Sequence, residues 1–597
     1  MYKPKALKLF YKAEKLHNQG KITACILEYK KAIKIEMNFF EAYNNLGNAL
    51  RLSNRLQEAV DNYKKTLQIN PSLPVTALNL ANTLSELKQF KEALEFYDHA
   101  ISLDPTQEKP YLQRSLSYYY SNSFQNSLID IDRYLSSSPN DVSAQLHKGN
   151  VLKKLERYEE ALKSYELCIS LNPRIAKFYL NHGNTLRKLE QYSTALDSYS
   201  KALELHPNDA YALIARGSLL REIDKYDDGI ADLKRALEIN PESPEAHSFI
   251  GHIYSELGCD SKAIYHFRAA LSLSENYAEA NHILSLILLG QGDFPEGWKK
   301  YSYRNKVSNN PVNLISIKEN QHWDGDLSTN QSLLIHGEQG IGDEILYGNL
   351  LHLLKLNQIS HDITVTCDKR LIPIYERTHP EFSFISASDL KYIKWKSQIH
   401  IGSLGIHLLK DYSDFGKLKH PNLVTNKSLS ISLAKRIKKS AKKICGISWK
   451  SQKSSNNTGH YKSISLVDLL PILKKDDYIF VNLQYGNVSE ELEKLTRDTG
   501  IKIINLEDID NFNDIDSLLS LIDACDLVIT VSNVTAHLAG SIDKPTYLIS
   551  PDKKGKFWYW KNRNEKNHSL WYPSIQIIDQ GDNTDWVRAV TEVADLM

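Results

Sequence analysis

The 597-residue chain has few cysteines, no long apolar run and almost no net charge. Its 6 cysteines lack CxxC spacing, which argues against a disulfide framework or a zinc site and favours buried thiols in a reducing cytoplasm. The longest strongly apolar stretch, ILSLILL at 283–289, is much shorter than the roughly 20 residues that span a bilayer. The first residues, MYKPKALKLF, have no apolar signal core. We therefore expect a cytoplasmic protein without a membrane span.

The charge balance also excludes some partners. Lys and Arg total 73 and Asp and Glu total 72, giving a net charge of +1. This balance argues against a broadly basic surface for a nucleic-acid polymer, although it leaves room for a local basic pocket.

A period of 34 residues organises the first half of the sequence. Prolines recur at this interval at Pro71, Pro105, Pro139, Pro173, Pro207 and Pro241. One column of small residues contains Ala13, Gly47, Ala81, Ser115, Gly149, Gly183, Gly217, Gly251 and Ser285. A second small column begins at Cys25, and a mostly aromatic column begins at Tyr29. Small residues let two helices cross closely, and a large side chain fills the space beside them.

This pattern resembles the tetratricopeptide repeat (TPR) over residues 6–305, with eight repeats and a degenerate ninth at 296–304. The resemblance implies an α-solenoid stabilised by contacts between neighbouring repeats, whose concave face binds a peptide or protein. Repeat 108–141 departs most from the pattern, because Arg114 occupies a usual leucine position.

Asparagines recur at two positions of the first helix in several repeats, and the series is interrupted at Ala215 and Phe249. One position contains Asn45, Asn79 and Asn181, and the position three residues later contains Asn48, Asn82, Asn150 and Asn184. This spacing places them on one side of the helix, where their amides can bind a peptide backbone. They resemble the asparagine ladder of the TPR superhelix in O-GlcNAc transferase. The alternatives are hydrogen bonds between helices or simple exposure to water.

From residue 331 onward, short β-rich runs alternate with helical segments. Strands are expected at 332–338, 362–368, 383–386, 398–403, 443–449, 478–485, 501–507, 526–532 and 545–550, and helices include 343–356, 465–473, 489–498 and 514–524. This alternation predicts parallel sheets covered by helices. After a linker at 306–330, we expect two Rossmann-like lobes at 331–425 and 426–597, with ligands at the carboxyl ends of the strands.

The segment GEQGIGDE (337–344) joins a predicted strand to a predicted helix. Gly340 and Gly342 permit a tight turn and close approach of a ligand or acceptor. Asp343 lies in the first helical turn, where an aspartate either acts on a ligand or caps the helix.

The segment VSNVTAHLAG (531–540) has the same strand-to-helix arrangement. Ser532, Asn533 and Thr535 begin a helix whose free N–H groups suit a diphosphate. His537 lies one turn inside and either contacts a ligand or packs in the core. Lys450, after the strand GISW, either neutralises phosphate or is solvated.

Three further residues are candidate contacts. His460 and Lys462, in the polar loop 451–463, either approach a bound ligand or belong to an exposed loop. Gln484, at a strand end before Gly486, either contacts a nucleotide or belongs to a structural turn.

Six ordered blocks resemble the C-terminal domain of TPR-containing bacterial glycosyltransferases over residues 315–597. These blocks are GEQGIGDEILYG, HIGSLG, GISWK, VNLQYG, DLVITVSNVTAHLAG with SIDKPTYLIS, and SLWYPS. That domain is similar to the lipopolysaccharide heptosyltransferase family, which has a GT-B fold. The resemblance implies an N-terminal acceptor lobe, a C-terminal nucleotide-sugar lobe, and no metal or other cofactor.

The same resemblance implies roles for three residues. Asp343 matches the general base, Lys450 a diphosphate contact, and His537 the histidine of the DT-x-x-x-H pattern. The Asp-Thr of that pattern is Ser532-Asn533 here, and FWYW at 557–560 lacks the arginine of related domains.

The sequence thus predicts a metal-independent, inverting glycosyltransferase whose TPR array recruits an acceptor protein. One alternative is transfer to a glycan or lipid-linked acceptor, with the repeats used for docking. Another is a non-catalytic TPR scaffold with a degenerate transferase domain.

Overall fold

The computed structural model describes residues 2–307, 317, 321–326, 332–338, 340–356, 362–392, 395–438, 440–451, 461–581 and 585–597. The chain forms two compact units, an N-terminal unit (Met1–Asn240) and a C-terminal unit (Pro241–Met597). Among the residues described, no helix combines the length and apolar character that crossing a membrane requires.

The N-terminal unit consists of helix pairs. The helices are α1 (Pro4–Asn18), α2 (Ile22–Ile35), α3 (Phe40–Leu52), α4 (Leu56–Ile69), α5 (Pro74–Glu86), α6 (Phe90–Leu103), α7 (Lys109–Tyr120), α8 (Phe124–Leu135), α9 (Val142–Lys154), α10 (Tyr158–Leu171), α11 (Ala176–Lys188), α12 (Tyr192–Leu205), α13 (Ala210–Glu222) and α14 (Tyr226–Ile239). Each odd-numbered helix packs against the even-numbered helix that follows it.

The small-residue column explains this pairing. A Cβ added at Gly47 would lie 2.6 Å from the Tyr63 ring, and one at Gly149 would lie 2.5 Å from the Tyr165 ring. The aromatic ring of the second helix therefore occupies the space that a side chain on the first helix would need.

The divergent repeat at 108–141 replaces apolar packing with polar contacts. The Arg114 guanidinium forms a bidentate ion pair with Asp130, with both bonds at 2.7 Å, and also contacts Asp98. Nearby, Ser115 Oγ lies 2.9 Å from Nε2 of His147, and burial lowers the pKa of His147 to about 4. The arginine at a leucine position is thus accommodated by its own pair of carboxylates.

The C-terminal unit begins with further helices, and two of them contact helical segments that lie between the strands of the sheets. They are α15 (Pro244–Glu256), α16 (Asp260–Leu273), α17 (Ala278–Gln291) and α18 (Phe294–Tyr301), followed by a 3₁₀ turn at Ser302–Lys306. The Trp298 ring lies 5.5 Å from Trp558 and 6.2 Å from Tyr347, and Asn562 Nδ2 donates to the Leu289 carbonyl at 3.1 Å. Because of these contacts, the boundary between compact units lies at 240/241, whereas the repeat pattern extends to residue 305.

Two parallel sheets follow. The first contains β1 (Ser332–His336), β2 (Asp362–Thr366), β3 (Ser383–Ile385) and β4 (Ser397–His400) in the order β3-β2-β1-β4. The second contains β5 (Lys443–Ser448), β6 (Tyr478–Asn482), β7 (Leu527–Val531), β8 (Thr546–Ser550) and β9 (Ile575–Asp579) in the order β6-β5-β7-β8-β9. Neighbouring strands are parallel throughout both sheets as described.

The helices of this region are α19 (Ile341–Leu356), α20 (Ile372–Thr378), α21 (Gly405–Leu408), α22 (Lys427–Ile437), α23 (Leu470–Leu473), α24 (Ser489–Thr499), α25 (Ile515–Asp523), α26 (Val534–Ser541) and α27 (Val587–Leu596). Two predicted elements differ from the structure. The strand expected at 501–507 is a single bridge between Ile504 and Val481. The helix expected at 465–473 is limited to α23, because Pro471 fits only the first turn of a helix.

Candidate functional site

The loop between β1 and α19 is held by a buried ion pair. Arg304, from the 3₁₀ turn after α18, pairs with Glu338 at 2.5 Å, and both side chains are 4% exposed. Glu338 Oε1 also accepts the Gly402 N–H at 3.0 Å, and Arg304 donates to Ser403 Oγ at 3.0 Å. One carboxylate therefore joins the ends of β1 and β4 to the segment after the last helix pair.

A second buried carboxyl group lies in the first turn of α19. Glu344 Oε2 accepts the Asp368 N–H at 2.8 Å, which ties α19 to the end of β2. Burial raises the pKa of Glu344 to about 8. The group is therefore mainly protonated at neutral pH.

Asp343 precedes Glu344 and is half-buried. Burial, followed by the charge of Asp343, raises the pKa of Tyr559. Burial is also the main cause of the raised pKa of Tyr347, with Tyr301 and Asp343 contributing less. The Asp343 carboxylate is thus set among tyrosine hydroxyls that remain protonated at neutral pH.

His537 lies in α26 of the second sheet and is 3% exposed. Its ring stacks on Trp560 at 5.2 Å, contacts Tyr559 edge-on at 5.3 Å, and lies with Nδ1 3.2 Å from the Tyr572 hydroxyl. Burial lowers the pKa of His537 to about 3, so the imidazole is neutral.

The first turn of α19 and helix α26 meet at Gly342. A Cβ added at Gly342 would lie 3.2 Å from His537 Cδ2 and 3.6 Å from Nε2. A Cβ added at Gly340 would have Asp343 Oδ2 as its neighbour, at 3.7 Å. The two segments that sequence analysis selected from different lobes are therefore brought together.

Three side chains predicted to contact the donor have hydrogen-bond partners within the protein. Gln484 Oε1 accepts from Ser448 Oγ and from the N–H groups of Trp449 and Lys450 at 2.7–3.0 Å. Asn533 Nδ2 donates to Ser448 Oγ at 2.8 Å and to the Lys450 carbonyl at 3.1 Å. Because all these atoms lie at strand ends, Gln484 and Asn533 brace β5, β6 and β7.

Ser532 Oγ likewise accepts a hydrogen bond from Trp560 Nε1 at 2.9 Å. Thr535 is fully buried, and its Oγ1 has no hydrogen-bond partner among the described residues. The Lys450 ammonium pairs with Glu491 at 2.5 Å and is 39% exposed.

Basic side chains gather at the carboxyl edge of the second sheet. Lys462 is 3% exposed, with Nζ 4.1 Å from the centroid of the Phe557 ring. Lys556 and Arg563 each contact Asp579, at the end of β9, at 2.7 Å. Burial lowers the pKa of Lys556, although Asp579 opposes this shift. The predicted contact His460 lies outside the described residues.

The asparagine positions of the N-terminal unit, Asn181 among them, are half-buried, and several of their oxygens are already bonded. Oδ1 of Asn48, Asn82 and Asn184 accepts the hydroxyl of Tyr63, Tyr97 and Tyr199, respectively, at 2.7–2.8 Å. Asn79 Nδ2 donates to Asn48 Oδ1 at 3.2 Å, and Asn45 Nδ2 lies 3.4 Å from Glu14. The side-chain oxygens of Asn48, Asn82 and Asn184 therefore form hydrogen bonds between helices, as one of the alternatives expected.

Sequence analysis missed Arg304, Glu338, Glu344 and Lys556. Glu338 and Glu344 flank the Gly-rich segment, which is their one sequence signal. Nothing in the sequence pairs Arg304 with Glu338 or Lys556 with Asp579, since these pairs depend on the tertiary fold. In the part of the chain that the structure describes, no group of three or more His, Cys, Asp or Glu could hold a metal ion.

Family models of the tetratricopeptide repeat match residues 13–53, 40–73, 76–107, 142–175, 180–244 and 214–281. The chain therefore contains TPR repeats, and this part of the prediction is confirmed. Among curated proteins, Protein FlbA of Caulobacter vibrioides is 25% identical over 338 residues, which is 54% of this chain and 55% of FlbA. The chain thus spans about half the length of this relative.

Several solved structures are similar to part of the chain. One is a tetratricopeptide repeat protein from Parabacteroides merdae, with 19% identity, a TM-score of 0.33, and coverage of 42% of this chain and 99% of that chain. Another is MamA from Desulfovibrio magneticus, with 22% identity, a TM-score of 0.27, and coverage of 28% and 96%. A third is YrrB, described as a TPR protein with an unusual peptide-binding site, with 23% identity, a TM-score of 0.23, and coverage of 37% and 96%.

Proposed function

We propose that the two-sheet region, residues 332–597, is a GT-B-type glycosyltransferase. It moves a sugar from a nucleotide-sugar donor to a hydroxyl of a protein recruited by the TPR array. The observation that carries this proposal is the contact of Gly342 with His537. It brings together the helix that begins after β1 and the helix that begins after β7, and open parallel sheets bind their ligands at such strand ends.

Asp343 is the proposed general base. Its carboxylate would take the proton of the acceptor hydroxyl while that oxygen attacks the anomeric carbon, and the bond from that carbon to the diphosphate would break. Tyr347 and Tyr559 stay protonated beside it and are hydrogen-bond donors rather than competing bases. Single displacement of this kind inverts the anomeric centre.

The leaving nucleoside diphosphate would be stabilised without a metal ion by the basic edge of the second sheet. Lys450, Lys462, Lys556 and Arg563 follow β5 or β8 and supply positive charge. The N–H groups of the first turn of α26 add donors for an anion. Lys450 is paired with Glu491, and Lys556 and Arg563 are paired with Asp579, so a diphosphate contact at these side chains would compete with those carboxylates.

The TPR repeats support a protein acceptor, because repeat arrays provide extended surfaces for peptides and proteins. The same surface is compatible with docking to a complex that builds a glycan or a lipid-linked saccharide. Detection of the sugar on a protein distinguishes the two acceptor classes.

One observation favours a second candidate, a non-catalytic TPR scaffold. Ser532, Asn533 and Gln484 use their side-chain polar atoms within the protein. A domain that no longer binds a donor would retain such bonds, because they hold the strand ends.

A ligand screen tests the proposal. The full chain is melted with a panel of UDP-, GDP-, ADP- and CMP-sugars and with the free nucleotides. A bound nucleotide sugar at 100-fold above its Kd stabilises the folded region by about 2.7 kcal/mol, which raises the melting temperature. The stabilising donor is then incubated, isotope-labelled, with a cell extract, and we expect the label on protein. A chain that no donor stabilises and that labels nothing would be the scaffold.

A further inference from the structure

The Tyr572 hydroxyl is a buried contact between the helices that follow β1 and β7. Tyr572 precedes β9 and is fully buried. Its oxygen accepts a hydrogen bond from Asn349 Nδ2 of α19 at 3.4 Å and lies 3.2 Å from Nδ1 of His537 in α26. An added Cβ at Gly540 would overlap the Tyr572 ring, so the ring reaches α26 only because this position is a glycine. One hydroxyl therefore connects α19 to α26 inside the core.

The groups around Tyr572 determine the direction of these hydrogen bonds. Asn349 Nδ2 also donates to the Leu346 carbonyl at 2.7 Å, which places the amide nitrogen, rather than the amide oxygen, beside Tyr572. Because an amide nitrogen only donates, the Tyr572 proton is left for Nδ1 of His537. Burial raises the pKa of Tyr572, so the hydroxyl keeps this proton at neutral pH. The hydrogen bonds thus run from Asn349 through Tyr572 to His537.

The aromatic neighbours of His537 fix the orientation of its ring. Trp560 stacks on the ring at an interplanar angle of 26°, and Tyr559 contacts it edge-on at 65°. The edge that carries Cδ2 and Nε2 faces Gly342, since an added Cβ there would lie 3.2 Å from Cδ2 and 3.6 Å from Nε2. Among the residues that the structure describes, none forms a hydrogen bond with Nε2.

The position of the single ring proton follows from these contacts. Burial lowers the pKa of His537, so the imidazole is neutral and carries one proton. In a neutral imidazole, the nitrogen that accepts a hydrogen bond leaves the proton to the other nitrogen. Since Nδ1 accepts from Tyr572, the proton belongs on Nε2, at the edge that faces Gly342.

We propose that Asn349 and Tyr572 are positioning residues that hold His537 in the tautomer protonated at Nε2. The Nε2–H group donates a hydrogen bond to an oxygen of the nucleotide sugar, bound beside Gly342. The use of this N–H group rests on the proposed function, whereas the tautomer does not.

The first test measures the tautomer in the full chain, without ligand, by nitrogen NMR of isotope-labelled histidine. The spectrum of His537→Gln identifies the His537 signals by their loss. In the wild type, the nitrogen correlated with Hδ2, which is Nε2, should have the shift of a protonated ring nitrogen. Tyr572→Phe removes the hydroxyl and keeps the ring, and it should move both nitrogen shifts toward the average of the two tautomers. The control Tyr547→Phe, which loses a hydroxyl bond to the Leu596 carbonyl, should leave the His537 signals unchanged.

The second test compares two substitutions that retain different ring nitrogens. The amide N–H of His537→Gln lies near the position of Nε2, and that of His537→Asn lies near the position of Nδ1. Affinity is measured by melting each full chain with the same UDP-, GDP-, ADP- and CMP-sugars. For the donor that stabilises the wild type, His537→Asn should bind about tenfold more weakly than His537→Gln. Both variants lose the same stacking on Trp560, so the comparison isolates the nitrogen that donates.

Each test has a result that contradicts the proposal. A proton on Nδ1 in the wild type, or unchanged nitrogen shifts in Tyr572→Phe, would overturn the positioning role. Equal donor affinity of His537→Gln and His537→Asn would overturn the use of Nε2. A chain that binds none of the nucleotide sugars would overturn the proposed function and the use of Nε2 together, whereas the tautomer would still be decided by NMR.

Discussion

The close contacts of the repeats differ from those of the two-sheet region in sequence separation and in how often they recur. In the repeats, each close contact joins residues a short distance apart, such as Gly149 and Tyr165, and an equivalent contact recurs in other repeats. In the two-sheet region, the contacts that shape the candidate site join distant residues once each, such as Arg304 with Glu338 and Gly342 with His537. Stability in the repeats is therefore distributed, whereas the candidate site depends on single contacts.

The largest loss of stability should come from breaking the buried pair of Arg304 and Glu338. Arg304→Met leaves the Glu338 carboxylate buried without its partner and should cost about 3–5 kcal/mol. Hydrogen exchange of the amides in β1, β4 and α19 measures the loss. The control Lys299→Met changes an exposed lysine nearby and should leave exchange unchanged. Equal exchange in both variants would mean that the pair does not hold the loop.

The next largest effect should be a pH dependence of folding stability that arises from Glu344. The folded state keeps Glu344 protonated up to a pKa of about 8, whereas the unfolded chain ionises it near the ordinary value of 4.5. The folded state therefore binds more protons between these values, and stability should fall with rising pH by up to about 1.4 kcal/mol per pH unit.

Glu344→Gln should remove that slope, whereas the exposed control Glu376→Gln should retain it. Thermal melting of the full chain from pH 5 to pH 8 measures both. A wild-type curve parallel to that of Glu344→Gln would show that Glu344 ionises normally in the folded protein.

Disrupting one contact between paired repeat helices should cost less stability than the changes above, because only neighbouring helices share that contact. Gly149→Val inserts a branched side chain against the Tyr165 ring and should cost about 1–3 kcal/mol. Faster hydrogen exchange should be limited to α9, α10 and their neighbours. Lys154→Val, an exposed change in the same helix, controls for the helix propensity of valine. Loss of exchange protection throughout the chain would contradict the view that stability in the repeats is distributed over local contacts.

The smallest effect should come from one recurring hydrogen bond. Tyr165→Phe removes the bond from the Tyr165 hydroxyl to Asn150 Oδ1 and should cost about 1 kcal/mol in urea unfolding. Phenylalanine already occupies this repeat position at Phe267, so the ring itself is accommodated. The exposed control Tyr211→Phe should cost nothing measurable. A cost above that of Gly149→Val would reverse the expected order.

The sequence predicted the repeats well because their contacts are local and periodic. The column of small residues that begins at Ala13 marks the helix crossings directly in the residue pattern. Parallel strands were also predictable as apolar runs between helices, and eight of the nine described strands correspond to expected ones. The exceptions have physical causes. Residues 501–507 bury Ile503 without forming a ladder, and strand β9 follows an irregular aromatic segment.

The candidate site was predictable only in part. The strand-to-helix segments containing Asp343 and His537 were visible in the sequence, because glycines and helix-start residues mark such turns. The internal bonds of Gln484 and Asn533 were not, since an amide at a strand end suits a ligand and a neighbouring strand equally well. The Arg304–Glu338 pair carries no sequence signal, because charge patterns do not show which distant residues meet.

The most direct test of the account compares sugar transfer by the wild type and by Asp343→Asn, using whichever donor stabilises the chain. Nucleotide-sugar affinity is measured on the same samples. The proposed general base predicts a fall in transfer of about 10²–10⁴-fold, while the Kd for the donor changes less than about threefold. Undiminished transfer, or an equal loss of transfer and donor binding, would contradict a catalytic role for Asp343.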